Sequence, residues 1–122
     1  MDTVLNMKVG TKKINAVIKD IQLLSVLRKN NTLQQKIVFK VIDEVTKLEY
    51  NVSDAWITVE DELCVRALWF YETPNGIYSH STLAEAMRFY NIKVLRDFIG
   101  KIVKLYPDKN DYLTLVITND IK

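Results

Sequence analysis

Residues able to do chemistry are few and scattered. The chain carries one histidine, His80, and one cysteine, Cys64. Together they suggest a thiol–imidazole pair or half of a metal site. A zinc site needs about four protein ligands, or three and a water, and no CxxC or HExxH spacing accompanies this pair. The ligand count favours Cys64 as a buried helix residue and His80 as a loop residue. Two groups of acids could serve as paired carboxylates in acid–base chemistry: Glu60, Asp61 and Glu62, and Asp108 with Asp111. Local structure accounts for both groups. The first follows Thr58 as acids follow a helix N-cap, and the second sits among turn formers. No GxxxxGK[ST], GxGxxG or GxSxG sequence is present. The expectation is a non-catalytic protein without a metal or a cofactor.

Charge is the next resource. Between Lys8 and Lys40 stand Lys8, Lys12, Lys13, Lys19, Arg28, Lys29, Lys36 and Lys40 against one acid, Asp20, a net of +7 in a chain whose total is +2. Such asymmetry marks either a polyanion-binding face or lysines guarding exposed strand edges. A run of rings, Trp69-Phe70-Tyr71, follows Leu68. It either packs on the core or forms a partner surface, since Trp and Tyr are enriched at binding hot spots.

The 122 residues fit one domain spanning the whole chain, and 48% hydrophobic with 26% charged residues favours a packed core over disorder. A lone cysteine suits a reducing compartment. No apolar run approaches the ~20 residues of a membrane span, and Met1 to Asn6 lacks the basic start and apolar core of a signal peptide. An intracellular location, and no membrane partner, is the expectation.

The elements that must position these groups are mostly strands. Met1 to Gly10 reads as a lead-in or an extra strand. From Thr11 to Arg28, Ile14, Ala16 and Ile18 alternate with Asn15, Val17 and Lys19, and the phase changes near Asp20. That predicts one long strand bent by a bulge, although Ile21, Leu24 and Leu27 also fit a helical spacing. Arg28 to Thr32 is a polar loop. Lys36 to Asp43 is a strand with Ile37, Phe39 and Val41 on one face. Asp43 to Thr46 turns the chain, and Lys47 to Trp56 pairs back. From Thr58 the acids predict a helix that carries Leu63, Ala67, Phe70 and Tyr71 on one face, with a strand through Leu63 to Tyr71 as the competing reading. Thr73 to Gly76 is a turn. Thr82 and Glu85 have the spacing of a capping box ahead of a second helix. Gly100 leads into a hairpin, Lys101–Tyr106 and Tyr112–Thr118, with Leu113, Leu115 and Ile117 on its apolar face.

Three strands, a helical insert and two strands make a mainly β protein with helices between strands 3 and 4. That order resembles the OB-fold, the five-stranded Greek-key barrel. The resemblance rests on the bent strand from Thr11 to Arg28, the meander to Trp56, the block from Thr58 to Ile99 and the closing hairpin from Gly100 to Thr118. The segment from Leu83 to Thr118 is also similar in texture to small single-stranded-DNA-binding proteins of phages and mobile elements. Unlike bacterial proteins of that function, the chain has no glycine-rich, acidic-tipped tail.

The resemblance implies binding through strands 2 and 3 and the flanking loops. The basic groups there would be Arg28, Lys29, Lys36, Lys40, Lys47 and Lys109. Single-strand binders add aromatic platforms, for which Tyr50, Trp56 and Tyr112 are candidates, with Tyr112 the best exposed. Phe39 and Tyr106 are the remaining rings, and Phe39 belongs to the inward set. The expected function is a nucleic-acid-binding module for single strands, with DNA implied by the resemblance. The alternative is an assembly module, alone or as a homo-oligomer, that uses the Trp69 surface to bind a protein partner.

Overall fold

A computed structural model describes residues 13–121. The reading of Met1 to Gly10, the first residues of the expected long strand, and Lys8 and Lys12 lie outside them. Strand accounts for 52% of the described residues and helix for 11%, so the protein is mainly β. No helix among them is long and apolar enough to cross a membrane.

Strand β1 (Ile14–Leu27) pairs antiparallel from Ala16 to Leu27 with β2 (Leu33–Asp43). The register jumps between Ile18 and Asp20, leaving Lys19 as a bulge. The cause is legible in the side chains. Ala16 and Ile18 are buried, Lys19 and Asp20 are both exposed, and Ile21 turns back towards the core. Two successive outward residues require the extra position of a bulge. In β2, Ile37, Phe39 and Val41 are buried, as their alternation requires.

The return strand is interrupted. Lys47 stands in a turn with φ 65°, and pairing resumes as β3 (Glu49–Val52) on β2. Ser53 breaks it, and β4 (Asp54–Val59) leaves β2 to run parallel to β10 (Leu113–Val116). The expected helix after Thr58 is absent. Glu60 and Asp61 instead take left-handed conformations, φ 51° and 65°, and close a hairpin between β4 and β5 (Glu62–Ala67). Positive φ at both central residues matches the twist of a tight hairpin, and the β-branched and aromatic residues around them favour strand. The acids are turn residues, not dipole partners, and Cys64 lies on a strand.

Beyond β5, Leu68 is fully buried and clamps two strands. Its N–H donates to the Ser53 carbonyl at 2.9 Å, and its carbonyl accepts from the Ile37 N–H at 2.9 Å. It leads into β6 (Trp69–Phe70), which pairs with Gln35 and Lys36 of β2. A small hairpin, β7 (Glu72–Thr73) and β8 (Gly76–Ile77), follows, and Gly76 takes φ 116° at its turn. Helix α1 (Thr82–Phe89) starts one residue earlier than the capping-box reading requires. Ser81 is the N-cap, and its Oγ accepts from the Ala84 N–H at 3.1 Å, so Thr82 and Glu85 form no capping box.

The last hairpin forms where expected, but its second strand is shorter, Leu113–Val116, and both of its faces are buried, since Thr114 and Val116 are covered as well as Leu115. A short 3₁₀ turn (Leu95–Phe98) ends at Gly100, whose φ of 87° excludes most side chains. Its N–H donates to the Ile18 carbonyl at 2.7 Å. Then β9 (Ile102–Pro107) pairs with both β1 and β10. The main sheet has eight strands in the order β3-β2-β1-β9-β10-β4-β5, with β6 added on β2, and it is not closed into a barrel. One core lies against it, built from Ala16, Ile37, Phe39, Val52, Leu83, Phe98, Val103, Leu105 and Leu115. Phe39 and Phe98 meet there with ring centroids 4.9 Å apart.

Candidate functional site

The ladder between β2 and β6 brings the two sets of candidate residues together. Lys36 lies directly opposite Trp69, and opposite Leu24 on its other side. Gln35 lies opposite Phe70. The β1–β2 loop closes above them. Arg28 and Thr32 are joined by a 2.8 Å backbone hydrogen bond, and Asn31 takes φ 62°. A groove of about 650 Å³ results, lined by Ser25, Arg28, Leu33, Gln35, Trp69 and Tyr71 among others.

The rings beside this groove are ordered as a stack. Trp69 and Tyr71 have centroids 5.7 Å apart and planes 19° apart, and Tyr71 and Tyr78 are 4.5 Å and 15° apart. His80 meets Tyr78 edge-on at 5.5 Å. The β7–β8 hairpin makes the stack by folding the chain back, and the Tyr78 N–H donates to the Tyr71 carbonyl at 2.9 Å. Desolvation, with a smaller contribution from Tyr78, raises the Tyr71 phenol from its ordinary value. Tyr78 was absent from the expected site. The Thr73 to Gly76 turn was the signal that could have placed it beside Tyr71.

Charge in the β1–β2 region is divided. Lys19 bonds Glu49 at 2.6 Å, which raises the lysine pKa and lowers that of the carboxylate. Lys40 faces Asp20 across the ladder and adds to the lowering at Glu49. Acids thus answer the middle of the basic run. Arg28, which lines the groove, and Lys36, opposite Trp69, have no carboxylate within 4.0 Å among the described residues.

The other expected site residues are placed elsewhere. Lys47 follows the far end of β2, seven strand residues and ~23 Å beyond Lys36 at Asp43. Tyr50 lies opposite Val41 and packs against the core, so it is no platform. Trp56 is half-buried, edge-on to Tyr106 at 6.4 Å, and its indole N–H has no partner among the described residues. It lines a separate cavity of about 430 Å³ with Cys64, Asp108 and Lys109. Tyr112 is 71% exposed at the β9–β10 turn, which the Asp108 carboxylate holds by accepting from the Asn110 and Tyr112 N–H groups at 2.8 and 3.1 Å. Cys64 packs against the core from β5, away from the His80 that meets Tyr78.

No protein-family model, curated protein or solved structure matches the chain.

Proposed function

We propose that this chain is a non-catalytic module that binds single-stranded nucleic acid in the groove between the β1–β2 loop and β6. One observation carries the reading: a stack of Trp69, Tyr71 and Tyr78 stands beside the groove that Arg28 lines, with Lys36 opposite Trp69, and neither cation has a carboxylate within 4.0 Å among the described residues. Single-strand binding calls for that combination. Cations follow the phosphates, and each base can add its plane to an aromatic surface whatever its sequence. Trp69 and Tyr71 line the groove, so a base entering it would extend the existing stack.

We infer an OB-type order of strands in an open sheet, and that order supports the same reading. Counting β3 and β4 as one strand interrupted at Ser53, the pairings run β1 with β2, β2 with β3, β4 parallel to β10, β10 with β9 and β9 with β1. In that arrangement the first loop borders the usual ligand face, and here it is the loop that carries Arg28 and Lys29. The test is a titration of labelled single-stranded DNA, single-stranded RNA and duplex at two salt concentrations. Binding of a single strand that weakens steeply with salt supports the proposal. Binding of a protein partner through the rings, unaffected by salt, would replace it with the assembly reading.

A further inference from the structure

Beyond the groove, β1 and β2 extend as an arm whose outer edge has no strand beside it among the described residues. Strand β9 pairs with β1 only from Ile14 to Val17, and the last bonds on that side join Ile18 to Gly100 and Lys101. From Ile21 to Leu27, β1 is held by β2 alone. The direction of its backbone groups follows from the ladder. The Ile37 N–H points away from β1 to Leu68, so its opposite number Leu23 points away from β2. By alternation, Ile21, Leu23, Ser25 and Leu27 present their N–H and C=O groups to the open edge. The Asp20 carboxylate already covers one of these donors, accepting from the Ile21 N–H at 2.8 Å.

The arm is also apolar where it is bare. Leu23, Leu27 and Leu33 are 65%, 64% and 70% exposed, and Leu24 and Val26 are exposed beside them. A long, apolar, unpaired edge templates the addition of another strand, and native proteins cover or guard such edges. No lysine interrupts this one between Asp20 and Arg28.

The sequence of the edge is complementary to itself. Set antiparallel to a second copy with Leu24 opposite Leu24, the stretch from Asp20 to Arg28 places Asp20 opposite Arg28 at both ends. It places Ile21 opposite Leu27, and Leu23 opposite Ser25. The odd-numbered residues, whose backbone groups face outward, meet one another as hydrogen-bonded pairs, as the ladder geometry demands. Slipping the register by one step either way sets Asp20 against Val26, or Arg28 against Gln22, and loses both charge pairs. A two-fold interface needs this kind of self-complementarity.

We propose that the open edge of β1 pairs with the same edge of a second copy of this chain, antiparallel, about a two-fold axis at Leu24. The dimer joins two sheets into one and covers Ile21, Leu23 and Leu27 with their counterparts. Ser25 and Arg28 are shared with the groove, whereas Asp20 belongs to the dimer alone, so changes at Asp20 report the dimer separately.

Sedimentation velocity at ~100 µM, where a dimer of micromolar Kd is almost fully formed, reads the mass directly. The proposal expects a dimer. Asp20→Lys should weaken it about tenfold or more, because like charges directly opposite destabilise a strand pair. The swap D20K/R28E should restore it. In one copy those positions lie ~26 Å apart along the strand, so rescue must cross between copies. Crosslinking gives a second reading on a folded arm. In a Cys64→Ala background, Leu24→Cys should form a disulfide with its own copy under mild oxidation, since a non-hydrogen-bonded pair sets the Cα atoms ~4.5 Å apart. Gln22→Cys and Val26→Cys should not, being ~13 Å from their own copies. A monomer at this concentration overturns the proposal, whether residues 1–12 or nothing covers the edge. So does a dimer in which the swap fails to rescue and Leu24→Cys fails to crosslink.

Discussion

The hydroxyl of Tyr90 donates to the carbonyl of Val116 at 2.6 Å and accepts from the N–H of Lys104 at 3.1 Å. Strands β9 and β10 pair only from Leu105 with Leu115 to Pro107 with Leu113, so past that point the phenol takes the place of a missing rung. The ring also packs edge-on to Phe98 at 6.2 Å. The residue just past α1 is thereby tied to the closing hairpin.

Tyr90→Phe should keep the ring and lose both bonds. Leaving a backbone donor and acceptor without this partner should cost about 1–3 kcal/mol, read as a lower urea midpoint at unchanged slope. Burial, partly offset by the Lys104 N–H, pushes the Tyr90 phenol up to about 12. A raised folded pKa means that the neutral form is favoured in the fold. The stability it gives is fully present below the ordinary tyrosine pKa of ~10 and is lost as pH rises from there through about 12. The alkaline decline should be shallower in Tyr90→Phe.

At the acid end the corresponding group is Asp43. Its carboxylate accepts from the Val45 N–H at 2.8 Å and the Thr46 N–H at 3.3 Å, and the Val45 bond is the main reason its pKa is lowered. A depressed folded pKa gives stability that is present above the unfolded value and lost as pH falls through the folded one. Melting curves at pH below ~4 should show that loss in the wild type, with a smaller pH dependence in Asp43→Asn. Equal acid dependence in the two proteins would remove this assignment.

Phe39 is fully buried against Phe98 at the centre of the core. Phe39→Ala should cost about 3–5 kcal/mol, as a cavity opens among groups that cannot all collapse into it. Denaturant unfolding measures it. A cost below 1 kcal/mol would mean that the centre of the core lies elsewhere.

What could be read in advance was local. The bulge in β1 was visible in the step from Ile18 to Ile21, the strand character of β2 in Ile37, Phe39 and Val41, and the last hairpin in its turn residues. The β4–β5 hairpin was not, because acids after a threonine suit a helix start as well as a turn. Pairing with β5 along its whole length, and with β10 far along the chain, holds β4 extended. The break at Ser53 had no local mark for the same reason. At the candidate site, Arg28, Lys36 and the Trp69 cluster each stood out separately. Their meeting depends on Lys36 pairing with Trp69, a non-local contact without a short-range signature. Tyr50 could be read as a platform or as a core residue, because alternation within β3 does not say which face meets the core; it packs against the core.

Tyr112 offers a control for the location of binding. It is the most exposed ring of the expected set, yet it lies at the β9–β10 turn and does not line the groove. Tyr112→Ala should leave single-strand affinity within about twofold of wild type, a span of ~0.4 kcal/mol. A large loss there would move the site to the Trp56 and Lys109 cavity.

The most direct measurement of the central claim is the salt dependence of binding to a labelled single strand, compared among wild type, Lys36→Ala and Trp69→Ala. Wild type should bind, with log affinity falling linearly against log salt. Lys36→Ala should weaken binding and flatten that slope by ~0.7 for one lost phosphate contact. Trp69→Ala should weaken binding by about 1–3 kcal/mol, the worth of a stacked base, and leave the slope unchanged. Absence of wild-type binding at micromolar concentration and low salt would contradict the account, as would the same slope in Lys36→Ala as in wild type.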